Sequence, residues 1–328
     1  MELVTGQQIW ALVYRATQRA GFIADVSEVL ADSTTEAELY GKSTVGLNHL
    51  FYYFQAATHE LVNVAPEVTQ QTVTDSMLKT HADHGPLQYA YRHSETALVD
   101  ATRKHGIAVL MMSHAFAGGE LGYFARRLAR NGLVSVAFAN GPAVMSVGGS
   151  FERLLGTNPL SYGIPLDDHR AMIIDQASSS TARVNFQKYA QRQVPIPEGW
   201  ALDRHCQPTT DPQAALDGTL LPFGGYKGGN IGLLVELMAM LGGGDSSVEA
   251  APYYAGERKQ GIGASIIALD LTNLPGYSER IDGLLHEFTH ERGSKIRITD
   301  LDVSERRVDI PQTVWSQLTN YANNGTAD

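Results

Sequence analysis

A helix and a strand follow each other directly in Ala97-Leu98-Val99-Asp100-Ala101-Thr102-Arg103-Lys104-His105-Gly106-Ile107-Ala108-Val109-Leu110. Small and apolar residues recur at helical spacing in the first half, and the i,i+4 spacing of Asp100 and Lys104 predicts an ion pair on the helix surface. Gly106 is expected to end the helix, because glycine readily adopts the left-handed conformation that follows a last helical turn. The four apolar residues after it have the length of a strand.

The same order of elements returns immediately downstream. Residues 121–130 have a helical pattern that Asn131-Gly132 ends, and Leu133-Val134-Ser135-Val136-Ala137-Phe138 is typical of a strand. Ala171 to Ile174 predicts a further strand, which ends on Asp175. Because two helix–strand units stand in tandem, the sequence predicts an α/β fold.

Helices are also predicted at both ends of the chain. The apolar stripes of two amphipathic helices in residues 3–31 are Leu3, Ile9, Leu12 and Ala16, then Val26, Val29 and Leu30. Near the C-terminus Pro311 marks a helix start, and a charged helical stretch at Ser278–Arg292 precedes it. No repeat or Pro/Ser-rich linker divides the chain, so the early and late helices are expected to form one discontinuous domain.

Composition excludes several classes of protein. The chain has 328 residues and a formal net charge of −10, with no cluster of Lys and Arg that could neutralise nucleic-acid phosphates. Its single cysteine, Cys206, excludes an intrachain disulfide and a cysteine-based zinc site, and no metal is expected.

No signal or membrane segment is expected either. Glu2 stands early in an N-terminus that lacks a basic-then-apolar signal pattern. The longest apolar run, Ile231 to Leu241, is short and contains Glu236, which favours a core helix over a membrane span. A reducing cytoplasm is the expected location, with no membrane partner.

Four polar segments are candidates for chemistry, since no credible Gly-x-Gly-x-x-Gly motif is present. In order, they are Ser113-His114-Ala115-Phe116-Ala117-Gly118-Gly119, Gly156-Thr157-Asn158-Pro159, Asp175-Gln176-Ala177-Ser178-Ser179-Ser180-Thr181 and Pro222-Phe223-Gly224-Gly225-Tyr226-Lys227-Gly228-Gly229-Asn230. Small residues at a helix start let backbone amides approach a phosphate, and Lys227 adds a cation to the fourth segment.

These segments and the strings around them resemble the malate/L-lactate dehydrogenase family of the non-Rossmann type. That family includes ureidoglycolate dehydrogenase, diketogulonate reductase, sulfolactate dehydrogenase and Δ1-piperideine-2-carboxylate reductase. The strongest matching strings are Gly156-Thr157-Asn158-Pro159, Ile196-Pro197-Glu198-Gly199-Trp200-Ala201-Leu202-Asp203, Pro208-Thr209-Thr210-Asp211-Pro212 and Leu220-Leu221-Pro222-Phe223-Gly224-Gly225-Tyr226-Lys227-Gly228. The resemblance extends over nearly the whole chain.

The resemblance implies a non-Rossmann, mixed-sheet nicotinamide-binding fold in a homodimer. It implies a helical domain of residues 1–70 plus 290–328 and a mixed α/β cofactor-binding domain of residues 71–289. NADPH or NADH is the expected cofactor, with NADPH slightly favoured, and the substrate is a small carboxylate. The implied cofactor-binding residues are Ser113, His114, Phe116, Ala117, Gly118, Thr157, Asp175, Ala177, Ser178, Lys227 and Gly228. The implied substrate-binding residues are Lys42, Thr44 and His49.

Departures from the family pattern concern the acid–base residues. The family shows Asp-Leu-Arg-Gly-x-x-Ser-His-Gly-x-x-Arg-Leu, with a proton-donating His and a carboxylate-gripping Arg. The corresponding segment Glu38–Leu50 has Val45 at the His position and His49 at the Arg position. Ala115 replaces the His of the family's Ser-x-His-Phe-Gly, and Ile298-Thr299-Asp300 replaces a Pro-Gly-Glu.

Three functions remain open from the sequence. Reduction of a ketone needs a proton donor, and the candidates that remain are Asp175, His49, His114 and Lys42. A cyclic imine arrives already protonated, so the missing histidines favour an NAD(P)H-dependent reductase of a 2-imino or 2-oxo acid. The alternatives are a 2-hydroxy-acid dehydrogenase that uses His49 or His114 as acid/base, and a cofactor-binding pseudoenzyme.

Overall fold

The computed structural model describes residues 1–253, 255–272, 274 and 276–325. Its helices are α1 (Gly6–Arg19), α2 (Ala24–Leu39), α3 (Leu47–Thr58), α4 (Leu87–His105), α5 (Gly122–Arg130), α6 (Arg183–Arg192), α7 (Pro212–Asp217), α8 (Tyr226–Met240), α9 (Tyr277–His286) and α10 (Gln312–Asn324). A π-helical turn, Glu287–Glu291, continues α9.

An eight-stranded mixed sheet forms the centre of the molecule, in the order β12-β7-β6-β5-β11-β4-β3-β2. Its strands are β2 (Thr69–Thr74), β3 (Met77–His81), β4 (Ile107–Ala115), β5 (Val134–Ala139), β6 (Leu160–Pro165), β7 (Arg170–Gln176), β11 (Ile262–Leu269) and β12 (Thr299–Asp300). β3 and β4 pair in parallel, and the other neighbours pair antiparallel. The expected mixed α/β fold is therefore confirmed.

The two helix–strand units have the predicted form. Gly106 caps α4 with a φ of 79°, a left-handed conformation that favours glycine, and β4 follows at once. Leu98 of α4 and Phe124 of α5 are buried in the same hydrophobic cluster as Leu110 and Ile266 of the sheet. These helices therefore supply the core that covers the sheet.

The two ends of the chain pack together. β1 (Glu2–Thr5) pairs antiparallel with β13 (Arg307–Ile310), and Ile9 and Leu12 of α1 share a cluster with Leu318 of α10. Leu3 was expected in the first helical stripe, which is wrong: it belongs to β1 and is 58% exposed. The backbone is already paired with β13 there, and α1 begins at Gly6. The division of the chain into two domains stays a prediction.

α8 corrects a second expectation, that Ile231 to Leu241 is a core helix. The helix buries a face of small residues and Glu236, namely Gly228, Gly229, Gly232, Val235, Glu236 and Ala239. Its leucines point away from the core, and Leu237 is 66% exposed. Apart from Glu236 the run has no polar residue, and the buried side is the one with the small residues and Glu236, not the one with the leucines.

A three-stranded sheet of β8 (Ala201–Leu202), β9 (Pro208–Thr209) and β10 (Thr219–Leu220) completes the fold. α6 and α7 accompany it, and Phe186 of α6 lies in a cluster with Ile196, Leu220 and Met145. This small layer lies beside the turn before β6, where the polar segments meet.

Candidate active site

The second, third and fourth polar segments form one hydrogen-bonded unit. The Ser178 amide donates to the Thr157 carbonyl at 2.8 Å, and the Ser178 hydroxyl donates to the Asn158 carbonyl at 2.7 Å. The Phe223 amide donates to the Ser178 carbonyl at 3.1 Å, which attaches the glycine-rich segment. Segments far apart in sequence are thus brought together at the ends of β6 and β7.

A buried carboxylate that the sequence analysis did not assign holds this unit in place. Glu236 Oε2 accepts from Asn158 Nδ2 at 2.8 Å and from the Ser247 hydroxyl at 2.6 Å, and Oε1 accepts from the Ser247 amide at 2.6 Å. Asn158 has a φ of 41° and also donates to the Gly232 carbonyl. A glutamate inside an apolar helical run was the only sequence signal for it.

A cavity of about 420 Å³ opens between α3 and the second polar segment. Its wall consists of Thr44, Val45, Asn48, His49, Tyr52, Gly141, Pro142, Ala143, Val144, Arg153, Thr157, Ala182, Arg183, Val184, Gln187, Leu216, Pro252 and Tyr253. The volume is typical of a small-molecule site. It brings together Thr44 and His49, both predicted to bind substrate, with Thr157, predicted to bind cofactor.

His49 presents a neutral imidazole to this cavity. Its ring contacts Tyr52, Tyr53 and Tyr253 edge-on, with centroids 5.3, 5.5 and 6.3 Å away. Burial lowers the pKa of His49 to about 4, because the imidazolium would lose its hydration. The Nε2 atom is buried and has no hydrogen-bond partner within the described part of the chain. Such an atom is suited to a hydrogen bond with a ligand and not to a charge contact.

Asp175 lies at the end of β7 and lines a second, narrower cavity. That cavity also includes Lys42, Glu120 and Arg126. The Gly122 amide donates to Asp175 Oδ2 at 2.9 Å. Burial, with a smaller contribution from the negative charge of Glu120, raises the pKa of Asp175 to about 6. Asp175 and Lys42 thus line a different cavity from the one that His49 lines.

An ion-pair network that the sequence analysis missed closes this second cavity. Arg126 is 2% exposed and donates to both carboxylate oxygens of Glu120, at 3.0 and 2.7 Å. Its Nε donates to Glu36 of α2 at 3.1 Å. The network links α5 to the N-terminal helices, and pairing compensates for the burial of the charges.

The first polar segment is mostly packed into the protein. Phe116 and Ala117 belong to a buried cluster with Tyr53, whose hydroxyl donates to the Ala117 carbonyl at 2.7 Å. Ser113 is 1% exposed, and Gly118 abuts the side chain of Leu87. These four predicted cofactor-binding residues would therefore contact a ligand through their main-chain atoms.

His114 lies in a cluster of three imidazoles. Its ring stacks on His81 with centroids 4.8 Å apart and meets His84 edge-on at 5.8 Å. Burial, followed by the neighbouring His81 and His84, lowers the pKa of His114. Neither the cavity with His49 nor the one with Asp175 includes His114 among its described lining residues. Its assignment as a proton donor stays a prediction.

The fourth polar segment has the features of a phosphate site. Gly225, with a φ of 66°, precedes the 15-residue helix α8, and no side chain caps its first amides. Lys227 is exposed in the first turn. A Cβ at Gly228 would lie 2.1 Å from the Phe223 carbonyl oxygen, so only glycine fits there. The Gly228 and Gly229 amides donate to the Phe223 and Gly225 carbonyls, so the amides of Tyr226 and Lys227, with the Lys227 cation, are those that fit the phosphates of a dinucleotide.

The remaining predicted residue of this region, Ala177, is half-buried next to Ser178. Within the described residues, no three His, Cys, Asp or Glu side chains are placed to share a metal ion. None of the described helices has the length and apolarity needed to cross a membrane.

Comparison with known proteins identifies the same family along almost the whole chain. A family model described as malate/L-lactate dehydrogenase matches residues 4–299. The (2R)-3-sulfolactate dehydrogenase (NADP(+)) of Chromohalobacter salexigens is 30% identical over 98% of both chains. The Δ1-pyrroline-2-carboxylate/Δ1-piperideine-2-carboxylate reductase of Pseudomonas aeruginosa is 29% identical over 84% of this chain and 83% of its own.

Solved structures show the same fold. The Δ1-piperideine-2-carboxylate reductase of Pseudomonas syringae pvar. tomato superposes with a TM-score of 0.90, at 25% identity, over 98% of this chain and 99% of its own. The sulfolactate dehydrogenase of Methanocaldococcus jannaschii superposes with a TM-score of 0.86, at 23% identity, over 98% and 97%. The similarity to the second structure concerns the fold alone.

Proposed function

The chain belongs to the malate/L-lactate dehydrogenase family of oxidoreductases, and we propose that it reduces a small 2-imino or 2-oxo acid with a nicotinamide cofactor. The observation that carries the proposal is the cavity of about 420 Å³, whose wall brings His49 together with Thr44 and Thr157. A small acid fits this volume. The names of the relatives above refer to sulfolactate, which is the reduced form of a 2-oxo acid, and to cyclic imino acids.

The reduction adds a hydride to the carbon of a C=N or C=O bond and a proton to the nitrogen or oxygen. A reduced nicotinamide supplies the hydride when it is bound. Thr157 lines the cavity where the substrate would lie, and the Glu236–Asn158 network fixes the turn that carries it.

We propose further that a cyclic imino acid is the better substrate. Val45 cannot carry a proton, and His49 is neutral at physiological pH because burial lowers its pKa to about 4. A ketone therefore lacks a strong proton donor on this wall, whereas a protonated imine already carries the proton that its reduction requires. The family's other proton-donor position, Ala115, is equally unable to help.

Asp175 has a supporting role in this proposal. Its carboxylate is held by the Gly122 amide, and its pKa of about 6 leaves it ionised at neutral pH. Asp175 lines the second cavity and not the one that contains His49, so its charge would favour an iminium through space and not by direct contact. The C-terminal end of β7 provides the rigid position that such a charge needs.

NADPH is the proposed cofactor, with NADH as the competitor. Lys227 is exposed at the start of α8, where an additional phosphate would gain a charge-assisted hydrogen bond. The Chromohalobacter relative, whose name includes NADP(+), supports this order.

A homodimer is the proposed assembly. Leu233, Leu234, Leu237 and Leu241 of α8 and its C-cap are 43%, 47%, 66% and 54% exposed, although the helix is otherwise apolar. Such a leucine face is typical of a surface that another protein covers. We propose that a second copy of this chain covers it.

Oxidation of NADPH and NADH by the purified protein, measured against a panel of cyclic imino acids and 2-oxo acids, tests the proposed function. We expect turnover of at least one cyclic imino acid with NADPH. Cofactor binding without turnover of any acid would instead identify a pseudoenzyme.

A further inference from the structure

Three histidine side chains meet where β3 and β4 end, and we call this group the histidine cluster. The ring of His114 stacks on His81 with centroids 4.8 Å apart and meets His84 edge-on at 5.8 Å. Among the described residues, these rings line neither the cavity of His49 nor that of Asp175. Imidazoles ordinarily take up a proton near pH 6.5, so rings at these distances repel each other once two of them are charged.

Two of the three rings are placed to stay neutral. His81 Nδ1 accepts a hydrogen bond from the Asp83 amide at 3.1 Å, and protonation would turn that acceptor into a donor. His114 Nδ1 is buried and has no hydrogen-bond partner in the described part of the chain. An imidazolium carries a hydrogen on this atom, where it would face no acceptor. The geometry of the cluster therefore fits neutral imidazoles and not imidazolium ions.

The charged groups around the cluster do little to offset a second proton. Burial lowers the pKa of His114 most, and the other two rings of the cluster lower it further. Asp245, in the loop after α8, raises this pKa, whereas Lys79 of β3 lowers it. The carboxylate of Asp83 is already engaged, since it accepts hydrogen bonds from Asn63 Nδ2 at 2.7 Å and from a main-chain amide at 3.0 Å. One carboxylate thus acts on His114 against an ammonium group and two further imidazoles.

The cluster lies on main-chain bonds that tie the turn after β3 to the first polar segment. The His84 amide donates to the His114 carbonyl at 2.6 Å, and the Phe116 amide donates to the Gly85 carbonyl at 2.8 Å. The Phe116 ring contacts Tyr253 edge-on, with centroids 6.1 Å apart. Repulsion between the rings therefore acts directly on the bonds that join the turn to the end of β4.

A buried glutamine connects the same turn to the cavity that His49 lines. His84 Nδ1 donates to the Gln260 carbonyl at 2.8 Å. The Gln260 side chain accepts from the Ala117 amide at 3.0 Å and donates to the Ala251 carbonyl at 3.2 Å. Residues 252–253, which follow directly, belong to the wall of the cavity. Displacement of the His84 ring would thus be passed to this wall through hydrogen bonds.

We propose that the histidine cluster is an acid-sensitive switch that controls the wall of the cavity. At neutral pH the cluster holds the turn after β3 against β4, and Gln260 holds the wall. Below about pH 6 the charged rings repel each other, the turn separates from the end of β4, and the wall loses its support. This inference goes beyond the proposed function and does not depend on which acid the protein reduces.

Hydrogen–deuterium exchange of the full chain, measured by mass spectrometry at pH 7.5 and pH 5.5, tests the switch without cofactor or substrate. Each rate is divided by the intrinsic rate of an unstructured peptide at the same pH. Peptides that cover residues 113–119 and 247–253 report on the two ends of the connection, and α10 is the internal reference. The variants are H114N, since asparagine tolerates the φ of 54° at that position, and H81Q. H105Q is the matched control, because His105 is exposed at the end of α4 and lies outside the cluster.

We expect both reporter segments of the wild type and of H105Q to lose protection by about tenfold or more at pH 5.5, with α10 unchanged. H114N and H81Q should lose much less, because each has one ring fewer to charge. If H114N does not fold, H81Q decides the question alone.

Three results would overturn the switch. Equal protection of the wild type at both pH values would show that the cluster does not open. The same acid-induced loss in H81Q and H114N as in the wild type would assign the effect to another group, such as His49. A loss that extends to α10 in every variant would indicate general acid unfolding.

Discussion

His49 and Asp175 illustrate how burial acts in opposite directions on two acid–base residues. Removal of water disfavours the charged form of each, so the pKa of His49 falls to about 4 and that of Asp175 rises to about 6. At neutral pH the imidazole that lines the first cavity is therefore uncharged, and the carboxylate that lines the second cavity is largely ionised. This combination suits a substrate that brings its own proton.

The pKa of His49 makes folding stability depend on pH. Between pH 6.5 and about 4 the unfolded chain binds a proton at this residue and the folded protein does not, so stability is lost as the pH falls through that window. The loss amounts to about 3 kcal/mol at most. His49→Gln should remove it, so urea unfolding at pH 7 and pH 4.5 should differ less than for the wild type. The exposed His105→Gln is the control, and an unchanged difference for His49→Gln would show that the ring is hydrated.

Asp175→Asn should stabilise the protein at neutral pH while it lowers activity. The folded pKa lies above the unfolded value, so the stability that the protonated residue contributes below about pH 4 is lost as the pH rises through about 6. Removing the charge should restore up to about 3 kcal/mol at pH 7.5 and almost nothing at pH 4. Thermal unfolding at the two pH values checks this, with the exposed Asp168→Asn as control. A variant that is less stable than the wild type at pH 7.5 would contradict the account.

At the scale of elements, α8 determines the geometry of the site through its inner face. Its glycines let the helix approach the second and third polar segments, and Glu236 ties it to Asn158 and Ser247. The three groups that contact the Glu236 carboxylate at 2.6–2.8 Å are all donors. A carboxylate can accept all three hydrogen bonds, whereas a side-chain amide would place its NH2 group against one of the donors.

Glu236→Gln should therefore destabilise the fold by about 1–3 kcal/mol, because an NH2 group would face a donor in a buried site. The kcat should fall as well, since the turn with Thr157 loses its anchor. Urea unfolding and steady-state kinetics measure both effects, and the exposed Glu198→Gln provides the control. Wild-type stability of Glu236→Gln would mean that water reaches this network.

The elements themselves were largely predictable from the sequence. Helical spacing, Gly106 and the apolar run after it define α4 and β4, because each of these signals is local. The orientation of α8 was not predictable, since leucines lie along most of the run and its one charged residue, Glu236, faces inward. The sequence analysis also missed that Arg153 and Arg183 line the cavity with His49, for a related reason. The two residues lie 30 positions apart, and the carbonyls of Leu216 and Gly218 at the end of α7 hold them at one cavity.

At the scale of the whole molecule, the exposed leucines of α8 bear on assembly. Leu237→Lys should dissociate the proposed homodimer, because a lysine would have to be desolvated in an apolar contact. Light scattering at micromolar concentration should then give a monomer mass for the variant and a dimer mass for the wild type. Leu3→Lys is the matched control, since Leu3 is 58% exposed and belongs to β1 and not to α8. A monomeric wild type would contradict the proposed assembly.

The central claim concerns the kind of substrate that this family member reduces. The family resemblance indicates a nicotinamide-dependent oxidoreductase. The residues on the cavity wall limit which substrates it can reduce. Val45 and Ala115 stand where proton donors would be expected, and His49 is held neutral. A missing general acid typically costs about 10²–10⁴-fold in rate. That cost applies to a ketone and not to a substrate whose nitrogen is already protonated.

The most direct measurement is the ratio of kcat/KM for a matched pair, Δ1-piperideine-2-carboxylate and an open-chain 2-oxo acid of the same carbon count, with NADPH at neutral pH. We predict a ratio of about 10² or more in favour of the imine for the wild type. Val45→His should reduce the ratio by raising activity on the ketone. Equal and efficient reduction of both substrates by the wild type would contradict the account, since it would require a proton donor that the wall around His49 does not supply.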